Sequence, residues 1–232
     1  MTHPLLHQWK DQLIVSCQAL EDEPLHSSFI MGRMALAAKI GGAAGIRANS
    51  YADIVEIKQH VALPVVGIRK NVYEDSDVFI TPTEKEVKEI VDSGADMLAL
   101  DATNRMRPND EKIDTLMDTA RGRNKEIALM ADISTIEEAL SAEEKGFDCV
   151  STTLLGYTAA TRNQAVADND FAFLEKLHQN LSIPVVAEGK ITTPEMARRA
   201  LAKGAHCVVV GGAITRPQLI THSFYKAINK EI

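Results

Sequence analysis

Eight short apolar runs recur along the chain, at Leu13–Ala19, Ala43–Ala48, Pro64–Lys70, Asp96–Asp101, Glu126–Ile133, Phe147–Thr153, Ile183–Gly189 and Ala205–Ile214. Most are apolar without strict alternation, the pattern of a strand covered on both faces. Between them lie segments of helical spacing, such as Pro194-Glu-Met-Ala-Arg-Arg-Ala-Leu-Ala-Lys. Strands separated by amphipathic helices predict right-handed βαβ units and a parallel sheet. A short helix, about residues 3–12, precedes the first run, with Trp9 expected to anchor it against whatever closes that end.

The joins between these units repeat. Gly94-Ala-Asp-Met-Leu-Ala-Leu-Asp resembles Gly146-Phe-Asp-Cys-Val-Ser-Thr and Gly204-Ala-His-Cys-Val-Val-Val, and Gly42-Ala-Ala-Gly-Ile-Arg is a looser copy. In each, glycine is placed to end a helix as a left-handed cap, with a strand following at once. The third and seventh runs instead open with Leu63-Pro-Val-Val and Ile183-Pro-Val-Val. A two-unit alternation repeated four times suits a closed barrel better than an open sheet, whose edge strands should differ from its central ones. No Gly-x-Gly-x-x-Gly follows the first strand, which counts against a dinucleotide-binding fold. The expectation is therefore an α/β protein, a (β/α)8 TIM barrel formed as a single domain over residues 1–232 without an internal linker.

Composition narrows the partners. Lys and Arg number 25 against 32 Asp and Glu, for a net charge of −7. A mildly acidic surface repels polyanions, so neither nucleic acid nor an acidic membrane surface is expected as a partner. Cys17, Cys149 and Cys207 lie in apolar runs with no Cys-x-x-Cys pair, as buried reduced thiols do. No basic-then-apolar leader is visible and no apolar stretch approaches the roughly 20 residues of a membrane span, so a cytoplasmic protein is expected. His3 and His7 share a helical spacing without an acidic third ligand, and no metal site is assigned. Glu84–Glu89 reads as a solvated helix face introduced by Thr81-Pro-Thr-Glu.

In a (β/α)8 barrel the active site lies at the C-terminal ends of the strands. There the first, third, fifth and seventh runs close with Gln18, Lys70, Asp132 and Glu188, which the two-residue period can turn inward as one layer. Arg47, Asp101 and Thr153 occupy the matching ends of even strands, Asp101 without an assigned role. Burying such groups is costly unless they pair or serve a ligand, and Asp132 suits either substrate contact or orientation of a neighbour. The loops after the seventh and eighth strands, Glu188-Gly-Lys-Ile-Thr-Thr-Pro-Glu and Gly211-Gly-Ala-Ile-Thr-Arg-Pro, form the second part. Their glycines, Gly189, Gly211 and Gly212, let backbone N–H groups approach an anion, and Arg216 adds a cation, so phosphate is the expected ligand.

Nine segments in order, among them Gly45-Ile-Arg-Ala-Asn-Ser, Gly67-Ile-Arg-Lys, Met130-Ala-Asp-Ile-Ser-Thr, Gly156-Tyr-Thr, Val186-Ala-Glu-Gly-Lys-Ile and Gly212-Ala-Ile-Thr-Arg-Pro, resemble the N-acetylmannosamine-6-phosphate 2-epimerases of bacterial sialic acid catabolism. The resemblance runs from about Gln12 to Arg216. It implies epimerisation of a phosphorylated amino sugar at C2 without a cofactor. It further implies Lys70 and Glu188 as catalytic residues, and Gln18, Arg47, Asp132, Tyr157 and Arg216 as substrate contacts. Two departures stand out: Arg69 replaces the second isoleucine of a usual Gly-Ile-Ile-Lys, and Gly211-Gly212 replaces Gly-Ser.

Such a reaction needs a base at C2, and an ordinary lysine, with a pKa of about 10.4, is protonated at neutral pH. Burial and Arg47 would lower that value and Glu188 would raise it, so sequence leaves the net direction open. A Schiff-base phosphosugar aldolase using Lys70 or Lys190, and a non-catalytic phosphosugar-binding protein, are the alternatives. The segment after Pro217, with Phe224 and Tyr225, is a candidate face for a homodimer.

Overall fold

The computed structural model describes residues 2–229; residue 1 and residues 230–232 of the expected domain lie outside the described residues. A helix α1 (Pro4–Trp9) precedes eight strands: β1 (Leu13–Cys17), β2 (Gly45–Asn49), β3 (Val65–Ile68), β4 (Met97–Asp101), β5 (Ala128–Asp132), β6 (Cys149–Ser151), β7 (Val185–Ala187) and β8 (Cys207–Val210). Each pairs in parallel with the next, and β8 pairs back to β1 with Val209 opposite Ile14, so the barrel is closed. The helices that wrap it are α2 (Ser28–Ile40), α3 (Tyr51–His60), α4 (Glu84–Asp92), α5 (Ile113–Arg123), α6 (Ile136–Lys145), α7 (Asp168–Asn180) and α8 (Pro194–Ala202). A short α9 (Gly212–Thr215) and α10 (Pro217–Asn229) end the chain. No helix among the described residues is long and apolar enough to cross a membrane.

Two apolar clusters account for the run pattern. One lies between the strands and the helix ring, and the other fills the barrel axis with residues such as Ile14, Met97, Met130 and Val186. Strands buried on both faces have no reason to alternate, which is why they appear as continuous apolar runs. The floor of the axis is closed by α1: Trp9 is fully buried, and its Nε1–H donates to the Ala44 carbonyl at 3.2 Å. His3 caps this helix, its Nδ1 accepting from the Leu5 N–H, and is committed to a structural contact. The four repeated glycines, Gly42, Gly94, Gly146 and Gly204, all have positive φ between 81° and 99°, the left-handed ends expected of them.

Two expectations need correction. The run to Ile214 does not continue as strand; the chain turns at Gly211 (φ −109°, ψ −97°) and α9 begins. The acidic face of α4 is not wholly solvated. Glu86 is buried as the far member of a capping box, accepting from the N–H of Thr83 at 3.1 Å, from Asn71 Nδ2 at 3.0 Å and from the Tyr73 hydroxyl at 3.0 Å. Burial raises its pKa, but these donors prevail and the net direction is downward.

Candidate active site

At the C-terminal mouth of the barrel a cavity of about 330 Å³ is lined by Gln18, Arg47, Lys70, Thr153, Tyr157, Glu188, Gly189, Gly211, Gly212 and Arg216, with Ile68, Phe79, Ile80 and Leu154 among its apolar walls. Closure of the sheet brings these residues together from six strands and their loops. Every site residue expected from sequence lines this cavity except Asp132, which has 0% exposure.

Asp132 lies beside Arg47, itself 1% exposed. Arg47 Nη2 donates to Asp132 Oδ2 at 2.5 Å and Nη1 to Oδ1 at 3.1 Å, a bidentate pair. The same Nη1 reaches Glu188 Oε2 at 2.9 Å. Asp132 thus contacts Arg47 and does not reach the cavity surface. The inward layer is not built from odd strands alone, since Arg47 of β2 and Thr153 after β6 tie Asp132 and Glu188 together. Burial pulls the Arg47 guanidinium down in pKa, but the Asp132 and Glu188 carboxylates prevail and raise it.

Lys70 follows β3, its backbone held by an N–H bond of 2.7 Å to Asn49 Oδ1 and an antiparallel bridge to Ile80. Burial of the amine, then the charges of Arg47 and Arg216, push its pKa down against the opposing Glu188 and Glu23, to about 8. The direction that sequence left open is thus downward. For Glu188, burial and the Asp132 charge raise the pKa while Arg47, Thr153 and Lys70 restrain it, and the net direction is upward. Among the described residues all side-chain bonds of Glu188 fall on Oε2, and none reaches Oε1. An amine made easier to deprotonate and a carboxyl made easier to protonate share one cavity, a pairing suited to proton transfer at neutral pH.

Gly189 (φ 104°) turns the chain sharply after Glu188. Across the mouth, Arg216 Nε and Nη2 donate to Glu23 Oε1 and Oε2 at 2.5 and 2.8 Å, and this contact holds the Glu23 carboxyl below its ordinary value. The pair fixes the guanidinium plane, and Nη1 makes no hydrogen bond among the described residues. Gln18 donates to Ser16 Oγ at 2.8 Å. Tyr157 stands at the rim beneath Lys190, whose Nζ lies 5.6 Å from the ring centroid and donates to the Gln164 carbonyl at 3.1 Å. Lys190 does not line the cavity. Asp101 is buried away from it, receiving bonds from the N–H and hydroxyl of Thr103 and from Arg105 Nη2 at 2.7 Å.

Sequence reasoning missed Glu23, Ser151 and Thr152. Thr152 Oγ1 accepts the Glu188 N–H at 3.0 Å and donates to the Glu188 carbonyl at 2.6 Å, clamping that backbone from the neighbouring strand.

A family described as "Putative N-acetylmannosamine-6-phosphate epimerase" matches residues 31–230. A protein of Oceanobacillus iheyensis named "Putative N-acetylmannosamine-6-phosphate 2-epimerase" is 60% identical over 220 residues, covering 95% of this chain and 99% of its own. A protein of the same name from Listeria welshimeri is 53% identical over 231 residues, covering 100% of this chain and 98% of its own. The solved structure of the N-acetylmannosamine-6-phosphate 2-epimerase from Clostridium perfringens matches with a TM-score of 0.93 at 54% identity, over 97% of this chain and 96% of that one. Family match, full-length identity and barrel agree, and the chain belongs to the N-acetylmannosamine-6-phosphate epimerase family.

Proposed function

We propose that this chain interconverts N-acetyl-D-mannosamine 6-phosphate and N-acetyl-D-glucosamine 6-phosphate by moving a proton at C2 of the open-chain sugar, without a cofactor. The observation that carries this reading is the placement of Lys70, its pKa lowered to about 8, in one cavity with Glu188 and the Arg216 loop. Neutral Lys70 takes the C2 proton; the C–H electron pair moves into the C1–C2 bond and the carbonyl pair onto the C1 oxygen. The Glu188 carboxyl, through Oε1, supplies a proton to that oxygen; return of the O–H proton to Glu188 then re-forms the C1 carbonyl while C2 takes a solvent proton on its opposite face and Lys70 releases its proton to solvent, which gives the epimer.

The phosphate is held by the Arg216 Nη1 donors and by backbone N–H groups of the Gly189 and Gly211-Gly212 turns. Its binding energy fixes C2 against Lys70, and such remote anchoring lowers the chemical barrier. A time course with N-acetyl-D-mannosamine 6-phosphate in deuterated buffer, followed by proton NMR, tests the reading. The gluco epimer should appear with deuterium at C2. Product that keeps its original C2 hydrogen, or no product at all, overturns it.

We also infer that the chain pairs with a second copy through α10. This helix has no buried residue among those described, yet Ile220, Phe224, Ala227 and Ile228 form one apolar stripe, with Phe224 66% and Ile228 77% exposed. Beside the β8–β1 seam lies an apolar groove lined by Leu13, Leu201, Val210 and Ile214. A 13-residue helix is about 20 Å long and 10 Å across. Burying one side of two such helices, each on a matching face, removes on the order of 1,200 Å², the lower end of a standard interface. Three buried, unpaired thiols are consistent with a reducing cytoplasm.

A further inference from the structure

The cluster that joins Asp132 to Glu188 contains a hydroxyl with more acceptors than protons. Thr153 Oγ1 lies 2.8 Å from Asp132 Oδ1, 3.1 Å from Glu188 Oε2 and 2.8 Å from Ser151 Oγ. A threonine hydroxyl donates one bond only. Ser151 Oγ lies 3.4 Å from Glu188 Oε2, so its proton is better placed toward Thr153. Thr153 must therefore choose between two carboxylates, both of which Arg47 already contacts.

We propose that Thr153 is a positioning residue for Glu188, its hydroxyl swinging between Asp132 and Glu188 in step with the charge on Glu188. When Glu188 is ionised, the Thr153 proton turns to Oε2 and Arg47 alone serves Asp132. When Glu188 is protonated, it needs no donor, and the Thr153 proton returns to the shorter contact with Asp132. Rotation about one C–O bond exchanges the two patterns, so no heavy atom needs to move. Oε2 stays anchored in both and Oε1 stays free for the sugar. The Thr152 clamp on the Glu188 backbone keeps the acceptor in reach throughout.

The charged and titratable groups that face Glu188 are Arg47 from β2, Lys70 after β3, Asp132 from β5 and Cys207 from β8. None of them is altered by a change at Thr153. Replacing Thr153 by Val keeps the shape and removes the donor that favours ionised Glu188. Asp132 is already held by two Arg47 donors, so the Thr153 bond to ionised Glu188 is the more valuable of the two by about 1 kcal/mol, and its loss should move the Glu188 titration up by about 0.7 pH unit.

This inference rests on the proposed role of Glu188, and its first readout is independent of turnover. Protein carrying 13C-labelled glutamate carboxyls is titrated by NMR, the Glu188 signal being assigned by its loss in Glu188→Gln. In Thr153→Val the midpoint should rise by 0.5–1 pH unit, by the same arithmetic. Thr153→Ser should restore it, and Ser151→Ala should move it in the same direction by less. Turnover of Thr153→Val should fall about 3- to 10-fold, with KM within about twofold, by that same hydrogen-bond energy. An unmoved or lowered midpoint overturns the proposal, as does failure of Thr153→Ser to restore it or a loss expressed in KM alone. A shifted midpoint in a protein that shows no epimerisation would leave the Thr153 assignment standing and remove the proposed function instead.

Discussion

Replacing Lys70 by Met should abolish turnover and at the same time stabilise the protein at neutral pH. Folding lowers the amine from 10.5 to about 8. Between those values the unfolded chain binds more protons than the native one, so this residue makes stability rise with pH across the window, and its cost is undiminished below it. The drop corresponds to ~3 kcal/mol of penalty at pH 7 and less than ~1 kcal/mol at pH 10. Methionine has a similar length and no charge to desolvate. Urea unfolding of both proteins at pH 7 and pH 10 is the assay. The variant should be the more stable by ~3 kcal/mol at pH 7, and the difference should shrink by ~2 kcal/mol at pH 10. A difference equal at both pH values would reflect packing of the methionine alone and would refute the lowered amine. In the wild type, kcat/KM should rise with pH through about 8, the value at which half of the amine is free.

Asp132→Asn removes one charge from a buried pair and should cost about 3 kcal/mol by denaturant titration, since Arg47 keeps only Glu188 to balance it; a loss below about 1 kcal/mol would contradict the buried pair. Arg216→Met should lower kcat/KM for the phosphosugar about 10- to 100-fold, the worth of one or two charge-assisted bonds, with kcat falling as well as KM rising because the anchor also positions C2. Phe224→Asp with Ile228→Asp should convert the proposed dimer to a monomer in sedimentation at micromolar concentration; a wild-type chain that sediments as a monomer would remove α10 as an interface.

Local rules wrote most of the barrel into the sequence. A left-handed glycine cap or a Pro-Val-Val opening marks six of the eight strands within a few residues, and the first and fifth rest on their apolar runs alone, so the strands were legible in number and order. What failed was the same kind of signal at its limit. Val208 to Ile214 is apolar throughout, and hydrophobicity does not distinguish a strand that continues from one that turns into a short helix at Gly211. The fate of Glu86 was hidden for a different reason: its burial depends on Asn71 and Tyr73, which come from the preceding loop and not from α4. At the mouth, the period of two identified the polar residues that end each strand but not their depth. Arg47 stands 85 residues from Asp132 and 141 from Glu188, and only closure of the barrel sets which partner lies beneath the other. Glu23 is 193 residues from Arg216 in a loop with no periodic signal, and one acidic residue among its acidic neighbours gave no sign of that contact.

The charges around the cavity explain why one buried arginine serves both halves of the proposed reaction. Arg47 with Asp132 is neutral as a pair, and Arg216 with Glu23 is neutral as another. The remaining groups, Lys70 and Glu188, leave the mouth without net charge in two ways: amine with protonated carboxyl, or ammonium with carboxylate. Burial and Arg47 lower Lys70, while burial and Asp132 raise Glu188, so folding shifts the balance toward the first arrangement, which is the one ready to act. Removing the C2 proton onto Lys70 while Glu188 protonates the C1 oxygen converts the first into the second, and the local charge stays constant. In a site of low dielectric, a step that creates no net charge avoids the desolvation cost that an isolated enolate would carry. Arg47 is shared by both arrangements: its field keeps Lys70 a base before the step, and its bond to Oε2 steadies the Glu188 carboxylate after it.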